Sequence, residues 1–185
     1  MDDDWRKLDD AVFDLYQVDE ADRIIVRDGF YQASWAWSAG RRTSVEIAET
    51  ESDLMAYARI FLSIIDTWLS ARNRRRMRAE IFDLPRRSPL RVIRFVLEDC
   101  PGPSIVEILK PDGELSDLLA QIGNRLRVRL AHALVGEREL RIHGHNEVVI
   151  IKPTARRHWM GVLALEDADA VVAESIRETN VGAAE

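Results

Sequence analysis

The hydrophobic residues of this chain follow two different periods, which change near its middle. Up to Ser70 they recur at intervals of three and four, as in amphipathic helices. From Arg78 onward, short β-branched and aromatic runs predict strands, and a last helical pattern begins near Gly161. We therefore predict an α+β fold: a helical N-terminal part, residues 1–73, followed by an α+β part, residues 74–185, with helices packed on a mostly antiparallel sheet. The two parts could equally form one continuous domain.

Three helices are predicted in the N-terminal part. The first, residues 5–16, carries aspartates on one face and an apolar stripe on the other. The second begins after Asp19, a favoured N-cap residue, and Gly29 favours a break in its middle. The third begins after Ser52 or Asp53, and its wide apolar stripe predicts burial between two layers. The stripe of the first helix consists of Leu8, Val12, Leu15 and Tyr16.

The α+β part contains several predicted strands and a closing helix. One strand ends at Pro85, and two more cover residues 90–97 and 105–109. A β-hairpin over residues 139–151 is followed by a helix over residues 161–176. Between these groups, residues 114–135 fit a helix followed by either a strand or more helix.

Composition indicates a globular chain with a buried core, since 46% of the residues are hydrophobic and 31% are charged. No apolar run approaches the roughly 18 residues of a membrane span, so we expect no membrane partner. The acidic start, Met1 to Asp4, differs from a signal or transit peptide, and we expect a cytoplasmic protein. The single cysteine, Cys100, excludes an intrachain disulfide and is expected to be an unreactive thiol.

The net charge of −6 conceals a basic segment. Nine arginines between Arg72 and Arg94 stand against two acidic residues, which gives this segment a charge of +7 and the remainder −13. The segment, and Arg74, Arg75 and Arg76 within it, is a candidate site for nucleic-acid phosphates. The alternative is a solvated helix end and strand face, neutralised by the acidic N-terminal helices.

A second group of cations lies where the predicted hairpin meets the last helix. Lys152, Arg156 and Arg157 precede Trp159 there. We predict that these four residues stay exposed and contact phosphates or a partner. The alternative is that the arginines pair with acidic residues of the following helix while Trp159 joins the core.

The sequence contains no motif for catalysis or cofactor binding. It has no Walker or Rossmann glycine-rich loop and no nucleophile elbow. His143 and His145 lack a third ligand nearby, so we expect no metal site. Glu107 and Lys110, after Asp99, loosely resemble a metal-dependent nuclease pattern, but their spacing points the two side chains in different directions. We therefore expect no catalytic residue, metal or cofactor.

Two blocks of the sequence resemble proteins of bacterial restriction and phage-defence systems. Leu8 to Tyr16, followed by Asp19 and Glu20, resembles a helix that lies after the catalytic domain of large adenine-modifying DNA methyltransferases. Lys152 to Trp159, with Leu165 to Asp169 behind it, is similar to a segment near the C-terminus of proteins in the same kind of operon. The chain lacks the Asn/Asp-Pro-Pro-Tyr/Phe signature and the glycine-rich cofactor loop of such methyltransferases. The resemblance therefore implies a noncatalytic portion made as a separate subunit.

Three hypotheses follow from the sequence. The leading one is a noncatalytic accessory or recognition subunit of a bacterial defence or DNA-modification complex, which docks on a larger enzyme and contacts DNA or RNA. The second is a pure protein-interaction subunit anchored by Trp35 or Trp37, which cannot both face one core. The third is a small metal-dependent nuclease that uses Glu107 and Lys110. The predicted nucleic-acid contacts are Arg74, Arg75, Arg76, Lys152, Arg156 and Arg157, and the predicted partner contacts are Trp35, Trp37 and Trp159.

Overall fold

The computed structural model describes residues 3–36, 48–70, 75–86, 88–99, 103–110, 113, 117 and 139–182. Within these residues four α-helices and five strands confirm the predicted α+β architecture, and none of these helices is long and apolar enough to cross a bilayer. The ambiguous segment 114–135 lies, apart from residue 117, outside the described part. The helices are α1 (Asp3–Leu15), α2 (Glu20–Ala36), α3 (Glu51–Ser70) and α4 (Gly161–Gly182). The strands are β1 (Arg76–Phe82), β2 (Leu90–Glu98), β3 (Val106–Leu109), β4 (Leu140–His143) and β5 (Glu147–Pro153), and a 3₁₀ turn covers Arg156–His158.

The five strands form one sheet in the order β3-β1-β2-β5-β4. The pairs β1–β2, β2–β5 and β4–β5 are antiparallel, and β1–β3 is parallel, so the sheet is mostly antiparallel as predicted. Ile81 lies opposite Ile93, and Ile93 lies opposite Ile150. One face of the sheet therefore carries a continuous apolar row across its three central strands.

Helices α3 and α4 pack on this apolar face. Tyr57 and Phe61 of α3 are fully buried, and the Phe61 ring stacks on that of Phe95 in β2 with 3.9 Å between ring centres. From α4, Ala164 and Ala168 are fully buried, and their small side chains let α4 approach α3 closely. Because α3 contacts both β1 and α4, its wide apolar stripe is buried between two layers, as the sequence predicts.

The opposite face of the sheet has an apolar half and a charged half. Side chains alternate along a strand, so Phe82, Val92 and Val149 point away from α3 and α4 and form a second buried cluster. Further along β1 and β2, the same face carries arginines directly opposite glutamates. These charged pairs are Arg76 with Glu98 and Arg94 with Glu80.

Helix α2 is attached to the rest of the protein at the start of α4. Asp28 Oδ2 accepts a hydrogen bond from the backbone N–H of Val162 at 2.7 Å, and so caps a helix that starts far later in the chain. Burial raises the pKa of Asp28, although the N–H groups of Val162 and Gly161 oppose the rise. The approach is close: a Cβ on Gly161 would lie 2.7 Å from Ile24 Cγ2 and 2.9 Å from Ile60 Cδ1.

Alanine substitutions at Gly161 and Gly29 test how tightly α2 packs against the start of α4. Gly161→Ala should lower the free energy of unfolding by roughly 1–3 kcal/mol, because Ile24 and Ile60 must move. Gly29→Ala is the matched control. Helix α2 runs unbroken through Gly29, so the predicted break there is wrong, and an added Cβ at this position meets nothing within 4 Å. That control should raise the free energy of unfolding by up to about 1 kcal/mol. Urea denaturation measures both, and two changes of the same sign would argue against a tight joint at Gly161.

Candidate functional site

The predicted cationic junction lies mostly inside the protein. Lys152 is on the sheet face that α3 and α4 cover, and it is 1% exposed. Its Nζ forms ion pairs with Asp167 of α4 and with Glu139 Oε2, which is 3.2 Å away. The same Nζ lies 4.9 Å from the centre of the Tyr57 ring. The prediction that Lys152 stays exposed for a phosphate or a partner is therefore wrong.

These groups form a polar cluster that joins α3, α4 and the sheet. The Tyr57 hydroxyl donates to Asp167 Oδ2, which also accepts from Lys152. At the edge of the cluster, Arg141 pairs with Glu139 at 3.0 Å, so cations and carboxylates balance. Burial is the main reason why the pKa of Tyr57 lies well above 10 and why the pKa of Glu139 is raised. Because its central groups are enclosed, the cluster joins the layers and offers a substrate no access.

The other residues of the junction differ in exposure. Arg156 pairs with Asp53, near the start of α3, at 2.9 Å. Arg157 is exposed. Trp159 is 2% exposed and donates its Nε1–H to the carbonyl oxygen of Pro153 at 2.9 Å. The prediction of a partner contact through Trp159 is therefore wrong, because its indole belongs to the core.

The basic segment is paired with carboxylates of the sheet region itself. Arg75 lies 2.5 Å from Asp99, and Arg76 lies 3.0 Å from Glu98. Arg78 is shared between carboxylates on three strands, which are Glu80, Glu98 and Glu107. For the arginines that the structure describes, the paired carboxylates are not those of the acidic N-terminal helices, as the alternative supposed. Nucleic-acid contact by this segment stays a prediction.

The residues considered for catalysis or metal binding do not converge. In the described part of the chain, no three histidine, cysteine, aspartate or glutamate side chains are placed to hold a metal ion. Glu107 is engaged in an ion pair on the sheet, and Lys110 is exposed beyond the end of β3. His143 of β4 pairs with Glu174 of α4 at 2.5 Å, while His145 is exposed in the hairpin turn.

A cavity of about 420 Å³ lies between the first turn of α3 and the edge of β1. Its walls include Leu54, Ile81 and Phe82 together with Glu49. Glu49 pairs with Arg91, and burial raises the pKa of the Glu49 carboxyl. Glu49 Oε2 has no hydrogen-bond partner among the described residues, and side chains of both charges line the same cavity: Glu51, Asp83, Arg86 and Arg91. The cavity therefore identifies no substrate.

Exposed apolar side chains are concentrated on α1, α2 and the turn between them. Seven of the ten exposed large apolar residues in the described part of the chain lie there, with exposed fractions between 44% and 76%. A cluster of this kind typically marks an interaction site. We call it the hairpin surface: Leu8, Val12, Leu15, Tyr16, Ile25, Val26 and Phe30.

The contacts between α1 and α2 are mainly polar. Asp14 pairs with Arg23 at 2.7 Å, and Asp10 pairs with Arg27. Both guanidinium groups lie over the Phe13 ring, 5.5 and 5.4 Å from its centre. These contacts fix which side of α1 meets α2.

The apolar side of α1 consequently faces solvent. At 3.6 residues per turn, Leu8, Val12 and Leu15 lie on the opposite side of the helix from Asp10 and Asp14. An amphipathic helix normally buries its apolar stripe against the core. Here the side of α1 that carries Asp10 and Asp14 meets α2, although both carboxylates stay more than half exposed, and the apolar side faces solvent.

The sequence predicts the apolar stripe of α1 but not its exposure. A signal for the exposure was nevertheless present. Asp10 and Asp14 are four residues apart, as are Arg23 and Arg27 on the next helix. Two charge pairs with matching helical spacing indicate that the acidic side of α1 meets α2.

Several predicted residues lie beyond what the structure describes. Arg74, Trp37 and Cys100 are outside the described residues, and Trp35 lies in α2 with its side chain undescribed. Their predicted roles stay predictions.

No protein-family model, curated protein or solved structure matches this chain.

Removing the buried cation tests the polar cluster. Lys152→Met should lower the free energy of unfolding by about 3–5 kcal/mol, because Asp167 would keep a buried charge without its ion-pair partner. Arg157→Ala, five residues later and exposed, should change it by less than about 0.5 kcal/mol. Urea denaturation of both variants compares them, and a small effect of Lys152→Met would contradict the enclosed ion pair.

The raised pKa of Glu139 makes stability depend on pH. Its protonated form is favoured in the fold, so its contribution is complete below the ordinary pKa of 4.5 and is lost as the pH rises through the raised value. Glu139→Gln cannot ionise, so its free energy of unfolding relative to wild type should increase between pH 4.5 and about pH 7. Denaturation series at several pH values measure this difference, and a difference that falls with pH would contradict the burial of Glu139.

Proposed function

We propose that this chain is a cytoplasmic, noncatalytic accessory subunit that docks on a larger protein through the hairpin surface. The observation that carries the proposal is the outward orientation of α1, whose apolar stripe is exposed while its acidic side is paired. Scattered apolar residues are normal on protein surfaces, but a row of them along one helix, as on α1, favours a binding role.

The free energy of apolar burial alone would not give a tight complex at the hairpin surface. Completing the burial of the four side chains on α1 and the turn, Leu8, Val12, Leu15 and Tyr16, would contribute roughly 4–7 kcal/mol. Association itself costs an estimated 4–15 kcal/mol. The two ranges overlap, so apolar burial alone gives a weak complex, and polar contacts around the stripe must add affinity.

The sequence resemblance supports a class of partner. The block from Leu8 to Tyr16, with Asp19 and Glu20, coincides with α1, the turn and the start of α2. This is the helix whose counterpart lies after the catalytic domain in adenine-modifying DNA methyltransferases. A larger enzyme of a bacterial DNA-modification or phage-defence complex is therefore the proposed partner.

Nucleic-acid contact is a secondary part of the proposal. Arg75, Arg76 and Arg156 form ion pairs within the chain, and Lys152 is enclosed. A phosphate would have to replace existing carboxylate partners at these arginines. The pure protein-interaction hypothesis is accordingly better supported.

Co-expression with the proteins encoded beside this chain tests the proposal. Wild type should form a complex with one of them that survives size-exclusion chromatography at physiological ionic strength. Leu15→Asp should weaken the complex at least tenfold, about 1.4 kcal/mol, because a carboxylate then lies in the apolar contact.

Ile176→Asp is the matched control, because Ile176 is also an exposed apolar residue of a helix, but lies on α4 outside the hairpin surface. It should leave the complex unchanged, and circular dichroism should show that both variants are folded. A complex that tolerates Leu15→Asp as well as Ile176→Asp would contradict docking through the hairpin surface.

A further inference from the structure

We infer that the occupant of the hairpin surface is a basic amphipathic helix of the partner protein. This inference rests on the proposed docking function and adds the chemistry of the segment that docks. Three features of α1 and α2 support it: the spacing of the apolar stripe, the position of the acidic residues beside it, and the charge of the whole hairpin.

The spacing of the stripe fits a helix. Leu8, Val12 and Leu15 follow one another at intervals of four and three residues. That is the spacing of the seam in a two-helix coiled coil, where each side chain inserts between residues of a facing helix. A row of this kind along an exposed helix is matched by another helix that lies beside it.

Carboxylates lie on both flanks of this row. By helical geometry, Asp4 lies one turn from Leu8 on one flank of the row, and Asp9 lies beside Val12 on the other. Asp4 is 94% exposed and only loosely paired with Lys7, at 3.8 Å. Flanking positions of this kind carry the charged contacts that select a partner helix.

The hairpin as a whole is acidic. Residues 3–36 contain nine carboxylates and four cations, a formal charge of −5. Arg23 and Arg27 are already engaged with Asp14 and Asp10. Among the described residues, no cation lies within ion-pair distance of Asp9, Asp19 or Asp22. Lysines or arginines beside the apolar residues of a partner helix would complement these groups.

The same charge disfavours the other occupants. In a second copy of this chain, the stripes of two α1 helices would bring aspartates against aspartates. Nucleic acid and an anionic membrane surface would be repelled for the same reason. A cationic helix is the occupant for which both the apolar row and its flanks are favourable.

Two synthetic peptides test the inference on the full chain. Both carry the same leucine seam, and they differ in having lysine or glutamate at every flanking position. The lysine peptide should bind at least tenfold more tightly than the glutamate peptide in fluorescence anisotropy at low salt, and added salt should reduce the difference.

Variants of the chain separate the contribution of the apolar row from that of the flanking carboxylates. Leu8→Asp should abolish binding of the lysine peptide, and Asp4→Asn combined with Asp9→Asn should reduce the preference for lysine over glutamate severalfold. Ile176→Asp should behave as wild type. Sedimentation of the chain alone checks for self-association, which should be absent or unaffected by Leu8→Asp.

The outcomes distinguish this inference from the proposed function. Weak or absent binding of the lysine peptide, equal binding of both peptides, or self-association lost with Leu8→Asp would each overturn the basic-helix inference. If the co-expressed complex still depended on Leu15, docking through the hairpin surface would stand and only the chemistry of the occupant would be rejected. If that complex were indifferent to Leu15→Asp, the proposed function itself would fail.

Discussion

The buried pairing of Lys152 with Asp167 is the interaction on which the arrangement of the layers depends. It lies on the sheet face that α3 and α4 cover, where a charge without its partner would be strongly destabilising. The hydroxyl of Tyr57 donates to the same carboxylate oxygen, so β5, α3 and α4 each contribute one group. These groups are satisfied together only when all three elements are in place. The position of α4, and with it the start of that helix, follows from this constraint.

The orientation of the helical hairpin follows from where α4 begins. Asp28 reaches the backbone of Val162, and the absent side chain of Gly161 allows α2 to approach. With that side of α2 engaged, Arg23 and Arg27 are left to face α1. Helix α1 then contacts α2 through exposed ion pairs, each of which typically contributes only about 0.2–1 kcal/mol. Helix α1 is therefore only weakly attached to α2, with its apolar stripe facing solvent.

Most arginines of the basic segment that the structure describes are paired with carboxylates. Arg76, Arg78 and Arg94 lie on the same sheet face as glutamates of their own and neighbouring strands, and Arg78 alone contacts three of these glutamates. Their positive charge is therefore largely neutralised by carboxylates within the sheet. The acidic hairpin has fewer compensating cations, so the surface most available to a partner is apolar and flanked by carboxylates.

The sequence by itself determined the helices and strands of the described part, because hydrophobic period and turn residues act between near neighbours. It also determined the two faces of α1. It could not determine that Lys152 and Trp159 are enclosed, since Lys152 meets Asp167 from 15 residues away and that carboxylate meets Tyr57 across 110 residues. Nor could it decide which face of α1 meets solvent, because that depends on Asp28 capping a helix 134 residues later. Local pattern sets what each element is, whereas burial is set by contacts between elements that are distant in the chain.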